Sequence, residues 1–165
     1  MLYCPTRIIF GIKALDQAQT YLSELGHKAL IVCGTGSPQK SGALAELEQV
    51  LRNAEIQYAI FASVEANPSL ETVMAGKEML LREQCEFVIG LGGGSPLDAA
   101  KAISLAAAND LSQEEIYATS RFHQAFPIVA VPTTSGTGSE VTQYSVLTNY
   151  TTKTKAGFGH VLAVP

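Results

Sequence analysis

The sequence has few of the features that mark membrane-spanning or nucleic-acid-binding proteins. Its 165 residues include no tryptophan and only 16% charged residues, and the formal net charge is −4. Nucleic acids and anionic membranes are bound by clusters of Lys and Arg, whereas the basic residues here are scattered. No apolar run approaches the roughly 18 residues that a membrane helix requires. We therefore expect a chain that binds neither nucleic acid nor a membrane.

Cysteine is also scarce, and its pattern argues against a disulfide framework or a zinc site. Cys4, Cys33 and Cys85 are widely spaced and odd in number, with no Cys-x-x-Cys pair. The three histidines are isolated as well, which favours surface or packing roles. The opening MLYCPTRIIFG is too short and too polar for the apolar core of a secretory signal. These features predict reduced thiols in a cytoplasmic protein.

What the chain has in quantity is apolar residues, at 47% of the total, which suits one folded domain with a substantial core. Short apolar runs predict buried strands, and apolar residues that recur every three or four positions predict helices. The predicted core strands are residues 29–33, 56–61, 86–91 and 127–131, and the predicted helices are residues 14–25, 41–54, 69 to about 83, and 96–108.

This alternation of strands and helices with short connections predicts an α/β fold. We expect a doubly wound, mostly parallel, Rossmann-like sheet with helices on both faces. Residues 3–10 are predicted to add an N-terminal strand, and residues 144–148 with 151–159 a C-terminal β-hairpin. Residues 1–165 are expected to form a single domain.

A run of three glycines, Gly92, Gly93 and Gly94, follows a predicted strand and opens a predicted helix. Glycines let backbone N–H groups approach an anion, and a helix N-terminus adds partial positive charge, which suits a pyrophosphate. Ser95 is predicted to be the N-cap, and Asp98 the acid of a capping box. Taken alone, the segment is also consistent with a helix cap that binds no ligand.

The segment PTTSGTGSE, residues 132–140, directly follows the fourth predicted strand. Ligands of open α/β sheets bind beyond the carboxyl ends of the strands, so this segment should share a crevice with the glycines. The hydroxyls of Thr133, Thr134 and Thr137 are suited to phosphate, ribose or carboxamide. An ordinary polar loop is the alternative for the segment alone, whereas its pairing with the glycines favours a nucleotide.

A third glycine-rich turn, at Gly34 to Ser37, ends the first core strand and is either part of a nucleotide site or a plain turn. Sites that prefer NAD usually place an acid near the adenosine ribose. This neighbourhood has no acid and does have Lys40, so a 2′-phosphate would meet no like charge. For Lys155, by contrast, the sequence alone favours a solvated surface lysine.

The strings GGGSPLDAAK and PTTSGTGSEVT, in this order, resemble the motifs GGGSxxDxAK and PTTxGTGSExT of the iron-containing alcohol dehydrogenases. RIIFG and the Asn67-Pro68 turn resemble further parts of that family's pattern, so the similarity spans the whole chain. The resemblance implies a dehydroquinate-synthase-like N-terminal domain that binds a nicotinamide dinucleotide. Family members often have Asp where this chain has Gly34, and that departure favours NADP, with NAD as the alternative.

The resemblance also implies cofactor contacts by position. The pyrophosphate and nicotinamide side would face Gly92, Gly93, Gly94, Ser95 and Asp98, and the nucleotide would be lined by Thr133, Thr134 and Thr137. The adenosine half would lie near Asn67 and the turn with Gly34, Ser37 and Lys40. The nicotinamide and its ribose would lie near Ser145, Leu147 and Lys155. No catalytic residue and no metal ligand is expected in this chain.

The family's proteins are much longer, and the resemblance implies that their metal ligands, one Asp and several His, lie beyond Pro165. The helical metal-binding domain is therefore expected to be absent, and with it the Fe²⁺ or other divalent metal of a complete chain. The expected role is the cofactor-binding half of an oxidoreductase that interconverts a small primary alcohol and an aldehyde with NAD(P), inactive by itself. A stand-alone nucleotide-binding or regulatory module is the alternative, and the coding sequence after Pro165 discriminates the two. Absence of the helical domain is expected to expose the apolar face that would pack on it. Such a face favours association, so a homo-oligomer is predicted.

Overall fold

The structure, a computed structural model, describes residues 4–165 and contains a four-stranded parallel sheet in the order β2-β1-β3-β4. Its strands are β1 (Lys28–Cys33), β2 (Gln57–Phe61), β3 (Phe87–Gly92) and β4 (Ile128–Pro132). A separate antiparallel hairpin consists of β5 (Tyr144–Asn149) and β6 (Thr154–Gly159). The helices are α1 (Ala14–Leu25), α2 (Ser37–Lys40), α3 (Ala43–Asn53), α4 (Leu70–Arg82) and α5 (Gly94–Ala108), with short 3₁₀ turns at Gln113–Glu115, Thr119–Arg121, Ser139–Val141 and Val161–Ala163.

The predicted α/β fold with a parallel sheet and a C-terminal hairpin is confirmed, and the strand order locates its crevice. From β1 the chain moves to β2 on one side, whereas from β3 it moves to β4 on the other. The connections after β1 and β3 therefore diverge, and Cys33 at the end of β1 pairs with Leu91 near the end of β3. Ligands of doubly wound sheets bind at this kind of switch point.

The two faces of the sheet bury alternate residues of the central strands. Leu30 and Val88 pack with residues of α4 and α5, whereas Ile31 and Ile89 pack with residues of α1 and α3. All four side chains are fully buried. Helices on both faces explain why these strands read as continuous apolar runs. Within residues 4–165, no helix combines the length and the apolar character needed to cross a bilayer.

The predicted N-terminal strand is wrong for the part of it that the structure describes. Tyr3 lies outside the described residues, and residues 4–10 form no strand. Ile8 and Phe10 are 63% and 94% exposed. Local β-propensity does not make a strand without a partner for its N–H and C=O groups, and in residues 4–165 no strand pairs with this segment.

The helix predicted over residues 41–54 begins two residues later, at Ala43, and a separate short helix precedes it. Gly42 adopts φ +81, in the left-handed region, and separates α2 from α3. Glycine enters this region without the steric penalty that other residues meet, so it ends one helix and allows the next to begin in a new direction. Lys40 consequently lies at the end of the short α2.

Candidate functional site

The glycine triplet (Gly92, Gly93 and Gly94) forms a tight passage from β3 into α5. Gly92 has φ +141, and a Cβ at this position would lie 2.9 Å from Pro96 Cγ. Helix α5 begins at Gly94 with Gly93 as its N-cap. The predicted N-cap at Ser95 is therefore wrong, because the glycines let the chain turn into the helix before it reaches the serine.

The threonine loop (residues 133–140) packs directly against the glycine triplet. The Thr133 N–H donates to the Gly92 carbonyl at 2.9 Å. A Cβ on Gly94 would lie 3.2 Å from Thr137 Cγ2, and one on Gly93 would lie 3.4 Å from the Thr134 hydroxyl oxygen. The structure thus brings the two motifs together at the carboxyl ends of β3 and β4, where residues 133–137 are exposed. The surface that the two loops form is called the crevice below.

Asn67 joins this crevice to the hairpin. It adopts φ +59, a left-handed conformation that Asn tolerates better than most residues. Its N–H donates to Ser95 Oγ at 3.1 Å, and its carbonyl accepts from Thr148 Oγ1 at 3.2 Å. Lys155 Nζ donates to Asn67 Oδ1 at 2.6 Å. Lys155 is thereby held beside the glycine triplet, which the sequence alone did not indicate.

Asp98 does not complete the predicted capping box, because α5 starts too early for it to reach the N-cap. Its carboxylate instead accepts from Ser139 Oγ at 2.6 Å and from the Val146 N–H at 3.1 Å. Its carbonyl accepts from the Ser145 hydroxyl at 2.9 Å. Asp98 therefore ties the threonine loop and β5 to α5.

Ser145 and Leu147 are both fully buried on β5, and Leu147 belongs to the core on the α4 and α5 side of the sheet. Since the Ser145 hydroxyl is already bonded to the Asp98 carbonyl, neither side chain is free to meet a ligand. The cofactor contacts predicted for these two positions would have to come from their backbone groups.

The third glycine-rich turn leaves β1 beside the glycine triplet. Gly34 follows Cys33 directly, and a Cβ on it would lie 3.2 Å from the Val64 carbonyl oxygen. Ser37 begins α2 and Lys40 ends it, both with exposed side chains and with no acid in the first turn. The structure therefore places a neutral-to-basic turn at the switch point of the sheet.

Lys101 is a site residue that the sequence analysis missed. Its side chain is fully buried, and Nζ donates to the Ser139 carbonyl at 2.6 Å, to Ser139 Oγ at 2.9 Å and to the Tyr144 carbonyl at 2.9 Å. Burial lowers the pKa of Lys101 from 10.5 to about 8, against the opposing attraction of Asp98 and Glu140. The available signals were its place as the last residue of GGGSPLDAAK and its position in an Ala-rich helix.

His160, Cys33 and Cys85 are packed within the fold, whereas His27, His123 and Cys4 are exposed. His160 Nδ1 accepts from the Leu162 N–H at 3.3 Å, and its ring packs against Phe122 at 5.4 Å between centroids. Cys33 and Cys85 are free and buried, and burial raises the pKa of both thiols. Across residues 4–165, no three His, Cys, Asp or Glu side chains are grouped so as to hold a metal ion.

Together, these elements define an α/β domain whose glycine and threonine loops meet at the switch point of its parallel sheet. The family model of the iron-containing alcohol dehydrogenases matches residues 5–165, and the chain belongs to this family. The resemblance found in the two motifs is thereby confirmed.

Two curated relatives and one solved structure illustrate the likeness. The probable NADH-dependent butanol dehydrogenase 1 of Bacillus subtilis (strain 168) is 35% identical over 98% of this chain and 42% of its own length. The NADPH-dependent butanol dehydrogenase of Clostridium saccharobutylicum is 34% identical over 92% of this chain and 39% of its own. A crystal structure of an iron-containing alcohol dehydrogenase from Thermotoga maritima is 42% identical, with a TM-score of 0.90 over 96% of this chain and 44% of that one. The chain thus spans less than half the length of these relatives.

Proposed function

We propose that residues 1–165 form the dinucleotide-binding domain of an iron-containing alcohol dehydrogenase that interconverts a small primary alcohol and an aldehyde. The observation that carries this proposal is the packing of the threonine loop on the glycine triplet, at the switch point of the sheet. When bound, the nicotinamide ring supplies or accepts the hydride. The part left to this chain is to bind the dinucleotide and orient it.

The crevice suits the pyrophosphate of such a cofactor. Gly93 and Gly94 offer backbone N–H groups without side chains, and the first turn of α5 contains no acid that would repel an anion. The N–H groups of a first helical turn have no partner within the helix and are free to donate to phosphate. Across the crevice, Thr133, Thr134 and Thr137 present exposed hydroxyls.

The remaining residues are proposed to hold the sugars and the nicotinamide. Asn67 and Lys155 are already bonded to each other beside the glycine triplet, which presets their positions before a ligand arrives. The proposed cofactor set is Gly34, Ser37, Lys40, Asn67, Gly92, Gly93, Gly94, Ser95, Asp98, Thr133, Thr134, Thr137, Ser145, Leu147 and Lys155.

A direct test is titration of the chain with NADPH, followed by the cofactor's own fluorescence. The proposal expects a saturable signal with one site per chain. A featureless titration at cofactor concentrations on the order of 1 mM, an affinity near −4 kcal/mol, would exclude it.

We further propose that the site prefers NADP to NAD. Gly34 has no side chain to repel a 2′-phosphate, and exposed Lys40 lies at the end of the following short helix. The relatives include both an NADH-dependent and an NADPH-dependent enzyme, so the preference rests on these residues alone.

Replacing Gly34 with Asp should reverse the preference. A carboxylate there would repel the 2′-phosphate and accept from a ribose hydroxyl, so we expect NADP affinity to fall about tenfold and NAD affinity to hold or rise. Gly34→Asn is the matched control, because asparagine has nearly the size of aspartate but no charge. It separates the effect of the charge from that of a side chain placed 3.2 Å from the Val64 carbonyl oxygen. Dissociation constants for both cofactors decide the matter. Tighter binding of NAD by the wild-type chain, or an unchanged ratio in Gly34→Asp, would contradict it.

The described residues do not fit a divalent metal, because no suitable group of His, Cys, Asp or Glu is present among residues 4–165. We therefore propose that Fe²⁺ or another divalent metal is held only in a longer chain. The purified chain should bind NADPH. When it is supplied with NADP⁺, a primary alcohol and Fe²⁺ or Zn²⁺, it should form no NADPH above the protein-free background, measured at 340 nm. Metal-dependent turnover by this chain would refute the assignment of roles.

Self-association and a cytoplasmic location stay predictions. Large apolar side chains are exposed near the N-terminus, at Ile8, Phe10 and Ile12, and on the hairpin, at Tyr144 and Val146. Such faces favour association, either between copies of the chain or with a covering domain. The three unpaired thiols are compatible with a reducing compartment.

A further inference from the structure

The threonine loop is held from beneath by a buried cation. Lys101 projects from the second turn of α5, and its Nζ donates three hydrogen bonds, two to Ser139 and one to the Tyr144 carbonyl. Ser139 lies in the threonine loop, where it begins a 3₁₀ turn, and Tyr144 begins β5. A single buried side chain therefore connects α5 to both segments that follow β4.

A continuous path of contacts leads from this cation to the crevice. Ser139 Oγ accepts from Lys101 and donates to Asp98 Oδ1 at 2.6 Å. The Ser139 N–H lies 3.4 Å from Thr137 Oγ1, and the Thr137 methyl group lies 3.2 Å from the position of a Cβ on Gly94. Displacement of Ser139 would thus move the loop wall that faces the glycine triplet.

The surroundings of Nζ match an ammonium group and not a neutral amine. All three partner atoms act as acceptors, since the Ser139 hydroxyl proton is already donated to Asp98. An ammonium has three protons to give them, whereas a neutral amine has two and would leave a buried acceptor unpaired. The charged groups that face Lys101 are Asp98 on α5 and Glu140 on the loop, and both favour the ammonium.

We propose that Lys101 is a positioning residue whose ammonium holds the threonine loop and the start of β5 on α5, so that the loop hydroxyls stay opposite the glycine triplet. Lys101 itself does not touch the cofactor. Its expected effect on affinity rests on the proposed dinucleotide function, whereas its effect on the order of the loop does not.

The protonation of Lys101 gives this role a pH signature. Burial lowers the pKa of Lys101 to about 8, so the third hydrogen bond is present at pH 7 and lost as the pH rises through 8. Cofactor affinity should therefore fall between pH 7 and 9. In the unfolded chain the lysine keeps its ordinary pKa of 10.5. Between pH 8 and 10.5 the unfolded state therefore binds more protons than the folded state, and the contribution of Lys101 to the free energy of unfolding rises with pH. The rise in stability follows from the lowered pKa alone, so the fall in cofactor affinity is the readout that a merely structural role would not produce.

The test compares Lys101→Met with Lys77→Met, by amide hydrogen exchange without ligand and by NADPH titration from pH 7 to 9. Lys77 is the matched control, because its Nζ also donates to a backbone carbonyl, that of Leu111, at 2.8 Å. Lys77 lies on α4, and its second partner is the carboxylate of Asp110. We expect Lys101→Met to speed exchange in residues 139–146 about tenfold and to weaken NADPH about tenfold at pH 7, with no pH dependence. Lys77→Met should change neither property.

Unchanged exchange in residues 139–146 of Lys101→Met would overturn the proposal, whatever the titration shows. Faster exchange with no NADPH binding by any variant would support the holding role of Lys101 and would instead refute the dinucleotide function. If Lys101→Met does not fold, the wild-type chain decides. The protection of residues 139–146 is then measured from pH 7 to 9 and corrected for intrinsic exchange. Loss of protection with a midpoint near pH 8 supports the proposal, and unchanged protection across this range overturns it.

Discussion

Replacement of Gly94 with Val should abolish NADPH binding and leave the chain folded. A Cβ at this position would already lie 3.2 Å from Thr137 Cγ2, and the two methyl groups of valine would extend into the crevice. They would cover the first N–H groups of α5, where the pyrophosphate is proposed to bind. The helix itself tolerates the change, because valine has a higher helix propensity than glycine.

The expected loss of affinity is at least about 100-fold, or roughly 2.7 kcal/mol, as for removal of more than one hydrogen bond to a charged group. Ala108→Val, at the far end of the same helix, adds similar bulk on a partly exposed surface and should bind NADPH like the wild type. Fluorescence titration gives both affinities, and thermal melting checks the folds. Wild-type affinity in Gly94→Val would mean that the phosphate does not bind at this helix.

Replacement of Gly90 with Ala should lower the free energy of unfolding by about 2 kcal/mol. Gly90 lies in the middle of β3, and a Cβ there would lie 3.0 Å from Ala100 Cβ and 3.2 Å from Leu97 Cα. Strand β3 cannot retreat, since it is paired with β1 on one side and β4 on the other. Helix α5 would have to move away from the sheet, at the cost of the packing between them.

Gly36→Ala is the control for this substitution. Gly36 has φ −143, outside the left-handed region, and a Cβ there would meet no atom within 4 Å. Its replacement meets no steric clash, so we expect a smaller loss of stability than for Gly90→Ala, limited to the poorer fit of alanine at the N-cap of α2. Urea unfolding followed by circular dichroism measures both variants. Equal midpoints for Gly90→Ala and wild type would show that α5 does not require a glycine beneath it.

The central sheet and its helices were predictable because their signals are local. Helix α1 begins and ends where its pattern and Gly26 predict, and β1 to β4 lie within one residue of the predicted strands. Each depends on apolar residues with a clear period or on a continuous buried run. The segment before Gly11 had similar apolar character but has no partner strand among the described residues, and pairing is not a local property.

The candidate site was predictable in its residue types and less so in its geometry. The glycine triplet and the threonine loop were expected to meet because both follow strands of one parallel sheet. The role of Asp98 was mistaken, since its partner Val146 lies 48 positions away along the chain. Lys101 was missed for the same reason, as its partner Ser139 is 38 positions away. Local patterns indicate caps and cores, whereas contacts between distant segments appear only in the folded chain.

The central claim is that a nicotinamide dinucleotide binds at the surface where the glycine triplet and the threonine loop meet. The most direct measurement is an ¹H–¹⁵N correlation spectrum of the chain recorded during titration with NADPH. We expect shifts confined to the crevice, at Gly93, Gly94 and residues 133–137, together with the turn that follows β1, all saturating with one dissociation constant. Shifts that instead cluster at the far end of α5, around Asn109 and Arg121, or a spectrum that NADPH leaves unchanged, would contradict the account.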